Sequence, residues 1–341
     1  MNTTSLRKMD KQDLEGGRFF ESSELEDAKR KDHMAYVLPL LVFTWYSSAI
    51  VSITTTKELM NRVPLPFLLC TTQFLIASAS SLVYLLFTRQ YKAVPPEVQA
   101  VVMQIATSYT FGFVSTNIAF SIVSAASVET VKSSEPLTTV LLGILLLGET
   151  YSRTTYLSLL PICGGVALSC YNNESLDVLG VCMVLASNLC FSARAVYTKM
   201  LAGALGTKNF DEVNLFFAIS LRGLGFLVPI ALFFEGGQVV QFFQSSQGVT
   251  GRDGVVTDFH TLLSIFLLNG LVFSCYNLMS YVVLKRTQLV THSVLNVFRR
   301  VFIIAFTSLY FHVPPSALAS AGIATAILGV LLFGYSRAKL S

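Results

Sequence analysis

Ten runs of roughly twenty apolar residues follow one another along this 341-residue chain. They lie near 35–56, 65–88, 98–122, 124–147, 153–171, 176–198, 213–234, 258–284, 289–311 and 314–336. A helix crosses the roughly 30 Å hydrocarbon layer of a bilayer with about 20 apolar residues. The runs therefore predict an all-α membrane protein of ten transmembrane helices joined by short loops. The alternation that marks a transmembrane barrel is absent. Composition agrees: 13% of residues are charged and the mean hydropathy is +0.61, whereas a soluble chain carries about 25% charged residues.

Charge on the connections predicts sidedness. With the N-terminus in the cytosol, that side holds Arg7, Lys8, Lys11, Arg18, Lys29, Arg30, Lys31, Arg89, Lys92, Arg153, Lys199, Lys208, Lys285, Arg286, Arg337 and Lys339. The opposite side holds Lys57, Arg62 and Arg252. The positive-inside rule then places both termini in the cytosol, which requires an even number of crossings. Spread over loop ends in this way, the basic residues give no reason to expect a nucleic-acid partner; the expected surroundings are the lipid bilayer.

Residues 1–34 mix seven bases with eight acids and contain no apolar core. They read as a disordered cytosolic tail, neither a secretory signal nor an Arg- and Ser-rich transit peptide. All six cysteines fall within the apolar runs without a CxxC pair or metal-ligand spacing, so they read as small packing residues, and neither a metal nor a cofactor is expected. A glycosylation sequon at Asn173-Glu174-Ser175 lies in a short loop against the membrane and is expected to be unused.

The two halves of the chain echo each other. "GVALSCY" (165–171) ends the fifth run and "GVLLFGY" (329–335) ends the tenth. Aligning Gly165 with Gly329 sets Lys132 and the pair Arg299-Arg300 on the same helix of each half, within about one turn. Five is odd, so the halves (35–171 and 172–341) insert with opposite orientation. This is the inverted-repeat plan of many secondary transporters, in which the substrate site lies near the midplane.

Charges inside the runs point to that site. Lys132, Arg194, Arg222, Arg299, Arg300 and Glu135 all lie at membrane depth, where each costs roughly 3 kcal/mol at a helix centre unless a partner or cavity offsets it. Lys132 and Glu135 share a helix face and can pair. No acid occurs between Asp258 and the C-terminus, so the arginine pair is expected to keep an excess of positive charge. Guanidinium forks and an ammonium at mid-depth suit a phosphate or carboxylate, although a structural network of charges is the other reading. Arg222 lies where its side chain reaches the cytosolic interface and is left out. Arg194, a few residues before its run ends, either reaches water or joins the site. Pro136, next to Glu135, is expected to kink the fourth helix. Ala319, Gly322 and Ala326 form a small-residue stripe that helix packing explains. No nucleophile elbow, zinc-binding HExxH, P-loop or paired intramembrane aspartates is visible, which argues against an enzyme and against ATP-driven transport.

"VETVKSSEPLTTVLLGILLLGE" (128–149), "FSARAVYTKM" (191–200) and "YNLMSYVVLKRTQLVTHSVLNVFRRVFII" (276–304) resemble the triose-phosphate translocator family, sugar-phosphate/phosphate antiporters of the drug/metabolite transporter superfamily. The resemblance runs from about residue 35 to 336. It implies ten helices in two inverted halves, with phosphate held between Lys132, Arg299 and Arg300. It also implies pocket positions at Tyr276, at Thr116 and Phe120, and at Phe191 and Arg194. The chain departs from the plastid members in four places: Arg-Arg replaces Lys-Arg, Phe113 and Glu129 stand where they carry histidines, and Leu295 replaces a glycine.

The resulting expectation is an alternating-access antiporter exchanging a phosphorylated metabolite, of the sugar-phosphate or triose-phosphate class, for inorganic phosphate. It is expected to work as a monomer or weak dimer. A nucleotide-sugar/nucleoside monophosphate antiporter with Phe113 stacking on a base is the alternative. A non-transporting scaffold whose charges only knit helices together is a third reading. The expected location is a Golgi or ER membrane, or an outer membrane of a complex plastid.

Overall fold

A computed structural model describes residues 37–170, 177–205, 210–244, 249–250, 256–287 and 289–338. The N-terminal tail and the Asn173 sequon lie outside the described residues. Eleven helices follow in order: α1 (Val37–Arg62), α2 (Pro66–Phe87), α3 (Gln99–Ile122), α4 (Ala125–Lys132), α5 (Glu135–Leu147), α6 (Arg153–Cys170), α7 (Val178–Leu205), α8 (Glu212–Gln244), α9 (Phe259–Arg286), α10 (Leu289–Tyr310) and α11 (Ala317–Ala338). A short antiparallel hairpin, β1 (Val249–Thr250) with β2 (Val256–Thr257), precedes α9.

Among the described residues, seven spans are long and apolar enough to cross a membrane, with α4 and α5 together making one of them. Their outward residues are large and apolar, among them Phe87, Leu232, Phe233 and Leu271. A surface of this kind faces lipid, and the chain is an integral membrane protein. Helices α3, α6 and α10 fall short of that apolarity for an identifiable reason. Their polar residues point inward: Thr110, Thr116 and Asn117 of α3 and Thr155 and Ser158 of α6 are buried, and α10 carries the two arginines.

Local chemistry sets several ends. Ser124 caps α4 by accepting the Ser127 backbone N–H at 3.1 Å, and Asp258 caps α9 by accepting that of Thr261 at 2.9 Å. The buried Glu235 carboxylate of α8 accepts the backbone N–H groups of Phe67 and Leu68 at 3.0 and 2.7 Å. It thereby closes the N-terminus of α2, where the helix dipole favours an anion.

Pairwise packing arranges the bundle. Helix α3 lies along α7, α6 along α11, and α2 against α8 and α9, while α8 also meets α3. The α6–α11 seam uses the small-residue stripe read from the sequence. A Cβ on Gly322 would stand 2.5 Å from the Ser169 nitrogen and 2.6 Å from the Gly165 carbonyl oxygen, so only glycine allows this approach.

The expected kink of the fourth span is a full break. Helix α4 ends at Lys132, Ser133 and Ser134 form a turn, and α5 restarts at Glu135 with Pro136 in its first turn, a position where proline's missing N–H costs nothing. Neighbouring α7 satisfies the opened backbone: Asn188 Nδ2 donates to the Val131 carbonyl at 3.3 Å and to Ser134 Oγ at 3.1 Å. Ser192 Oγ lies 2.7 Å from Thr138 Oγ1 and 3.0 Å from Thr139 Oγ1. A non-helical turn at membrane depth is tolerated when protein groups complete its hydrogen bonds in this way.

Candidate functional site

The break places Lys132 at the end of α4, facing the middle of α10, and a cavity opens between them. All eight residues singled out from the sequence line it: Lys132, Arg299 and Arg300, Tyr276 of α9, Arg194 and Phe191 of α7, and Thr116 and Phe120 of α3. Arg222 does not. It donates to Gln99 and, at 3.3 Å, to the Ala218 carbonyl, away from the cavity.

Four cations therefore share one cavity, held in different ways. Lys132 Nζ stands 5.0 Å from the centre of the Phe191 ring. The Arg194 guanidinium lies 5.4 Å from the same ring and 5.6 Å from that of Tyr109. Arg299 is 5.7 Å from the Trp45 ring and donates to Asn296 Oδ1 at 3.0 and 3.1 Å. Aromatic faces attract a cation without neutralising it, and among the described residues none of these three has an ion-pair partner. Arg194 joins the site because α7 runs on to Leu205, beyond the boundary at 198 expected from hydropathy. The arginine is thus well inside its helix rather than near its end.

Arg300 corrects two sequence expectations. It pairs with Glu135 at 2.7 Å and approaches Glu129 at 3.5 Å. Glu135 therefore neutralises Arg300 and not Lys132, although it stands only three positions from the lysine in sequence. The arginine pair is also not without acids: they come from the other half of the chain, about 165 positions away in sequence. The helix break causes the swap, since interrupting the helix between Lys132 and Glu135 removes the regular spacing on which their pairing depended.

The remaining wall is aromatic on one side and neutral-polar on the other. Phe113 packs edge-to-face with Tyr109 (4.8 Å), Phe191 (5.0 Å) and Phe273 (4.8 Å). Opposite, Asn117 Nδ2 donates to Gln73 Oε1 at 3.1 Å, and Gln73 Nε2 to Asn269 Oδ1 at 2.8 Å. Asn269 Nδ2 in turn reaches Thr55 and Thr56 of α1 at 2.8 and 2.9 Å. Thr116 Oγ1 lies 2.7 Å from Ser187 Oγ. Sequence reasoning missed Trp45, Gln73, Asn117, Asn277 and Asn296 because it weighed charges alone. Amides inside apolar runs were the available signal.

Comparison with known proteins agrees with the resemblance. Residues 36–334 match the family model described as the Triose-phosphate Transporter family. A phosphoenolpyruvate/phosphate translocator of Arabidopsis thaliana chloroplasts is 33% identical over 301 residues, covering 86% of this chain and 75% of its own. The xylulose 5-phosphate/phosphate translocator of the same plant is 31% identical over 326 residues, 94% of this chain and 75% of its own. A solved crystal structure, 14% identical, superimposes with a TM-score of 0.55 over 86% of this chain and 97% of its own, a likeness of fold.

Proposed function

Because this chain belongs to the triose-phosphate transporter family, we propose that it is a secondary-active antiporter exchanging a phosphorylated metabolite for inorganic phosphate by alternating access. The observation that carries this reading is the convergence of four cations on one cavity at membrane depth, three of them backed by rings and not by carboxylates. Lys132, Arg299 and Arg300 take the phosphate, and Arg194 and Tyr276 flank it. Thr116, Phe120 and Phe191 shape the space for the rest of the molecule. The relatives' names describe transporters, which supports a role without catalysis.

The ten-crossing, two-half plan is supported by packing. Under the five-helix alignment α2 corresponds to α8 and α3 to α9, and the contact of α2 with α9 has its counterpart in that of α8 with α3. A helix that lines a polar cavity is less apolar without ceasing to cross, which supports counting α3 and α10 as spans; α6, with Thr155 and Ser158 buried, is supported by its packing along the span α11. The bias of basic residues supports cytosolic termini. The plastid setting in the relatives' names favours the complex-plastid membrane over the Golgi or ER.

Exchange follows from electrostatics. An empty cavity keeps four cations against the two carboxylates Glu129 and Glu135, an excess of two positive charges, and closing it away from water is costly. A bound dianion offsets that cost, so the loaded carrier reorients and the empty one does not. Phe113 is boxed in by four rings, those of Phe74, Tyr109, Phe191 and Phe273, which supports a sugar phosphate over a nucleotide sugar. The test is competition in proteoliposomes: labelled phosphate uptake against excess sugar phosphates and nucleotide sugars. Inhibition by the sugar phosphates alone is expected; inhibition by nucleotide sugars alone would transfer the assignment to that class.

A further inference from the structure

The cavity also contains two carboxylates, and their arrangement is unequal. Glu135 holds Arg300 at 2.7 Å, a full charge-assisted bond. Glu129 stays 3.5 Å from the same guanidinium although its side chain is only 3% exposed, a separation too long for a good hydrogen bond. Arg300 is already anchored, so Glu129 adds little to positioning. Its effect on the cavity is its charge, and a carboxylate is costly to keep inside a membrane.

The lining holds four cations, Lys132, Arg194, Arg299 and Arg300, against the two carboxylates Glu129 and Glu135, leaving two positive charges. A phosphate monoester carries about −1.5 to −2 charges at pH 7. Bound phosphate ester and bound inorganic phosphate dianion each bring such a cavity to neutrality. A phosphate ester that also bears a carboxylate would overshoot by one charge in a space of low dielectric. The wall away from the cations, with Ser52, Thr56, Gln73 and Asn117, offers hydroxyls and amides and no further positive charge.

We propose that Glu129 is a specificity-determining residue: its charge makes the cavity select phosphate esters whose remaining part is uncharged and reject those bearing a carboxylate. This inference rests on the exchange reading above and names its substrate class. It separates this chain from the phosphoenolpyruvate translocators it is similar to, whose named substrate carries a carboxylate beside the phosphate.

A matched pair of probes tests it. Glycerol 3-phosphate and 3-phosphoglycerate differ by a hydroxymethyl group against a carboxylate, and both have ionised phosphates at pH about 7.5. In proteoliposomes the wild type should be inhibited in labelled phosphate exchange by glycerol 3-phosphate at a concentration at least about tenfold below that needed for 3-phosphoglycerate. Glu129→Gln should narrow that ratio about tenfold or invert it, because the cavity then carries three positive charges. Equal inhibition of the wild type by the two probes overturns the proposal without any variant having to fold. A variant that loses exchange for both probes evenly, with the ratio unchanged, also overturns it and assigns Glu129 a positioning role. Wild type without any phosphate exchange would instead sink the antiporter reading, a distinguishable result.

Discussion

Two seams cross this bundle, and they are built on opposite principles. Between α6 and α11, Gly165 and Gly322 let backbone touch backbone, and nothing polar depends on a ligand. Between α4/α5 and α10, the helix is broken, serines and an asparagine patch its backbone, and cations face one another across a cavity. Under the proposed two-half plan, Gly165 and Gly329 stand at equivalent places and Lys132 corresponds to the arginine pair. One seam thus holds by close packing, with one hydroxyl contact between Thr155 and Ser336 at 3.1 Å, whereas the other carries an excess of positive charge that the proposed anion would offset. A transporter needs both: a rigid staple and a seam whose stability depends on cargo.

The comparison breaks first at the close-packed seam. Gly322→Leu would drive a side chain into the backbone of α6, and the expected outcome is loss of a folded, monodisperse protein on gel filtration in detergent. Small residues elsewhere, such as Gly225, have open space around them, and Gly225→Ala should leave the elution profile unchanged. At the polar seam the expectation is reversed. Lys132→Ala and Arg299→Ala should reduce phosphate exchange by about 100-fold or more while eluting as the wild type does. Failure of both variants to fold would instead favour charges that only knit helices together. Glu235→Ala sharpens the distinction, because this buried carboxylate belongs to neither seam. Losing its two bonds to the start of α2 should cost about 1–2 kcal/mol, read as a lower thermal midpoint, with phosphate affinity retained. The smallest effect is expected of Arg222→Ala, whose side chain lies outside the cavity: exchange should change by less than about twofold, within the range of ordinary surface substitutions.

Much of the fold was legible because membrane crossing imposes long apolar runs, and the site because charge at that depth demands an explanation. Lys132, Arg299 and Arg300 were identifiable from the sequence on that ground alone, and the resemblance added Tyr276, Thr116, Phe120 and Phe191. The pairing of Arg300 with Glu135 was not legible. Helical spacing allowed Glu135 to pair with Lys132, and only the break at Ser133-Ser134 undoes that neighbourhood. The extent of α7 was misjudged for a related reason: "TKMLAGAL" (198–205) is polar at its start, yet its Lys, Met, Leu and Ala residues continue the helix to Leu205. Glu129 first stood out only as a missing histidine. Its position beside Arg300 gave it a charge to account for.

The central claim is that the polar seam is completed by a phosphate-bearing anion and reorients only when loaded. The most direct measurement is uptake of labelled phosphate into proteoliposomes with and without unlabelled phosphate inside. The expected result is rapid uptake into preloaded vesicles and almost none into empty ones, with the preloaded signal lost in folded Lys132→Ala. Equal uptake into empty and preloaded vesicles, or undiminished exchange by Lys132→Ala, would contradict it.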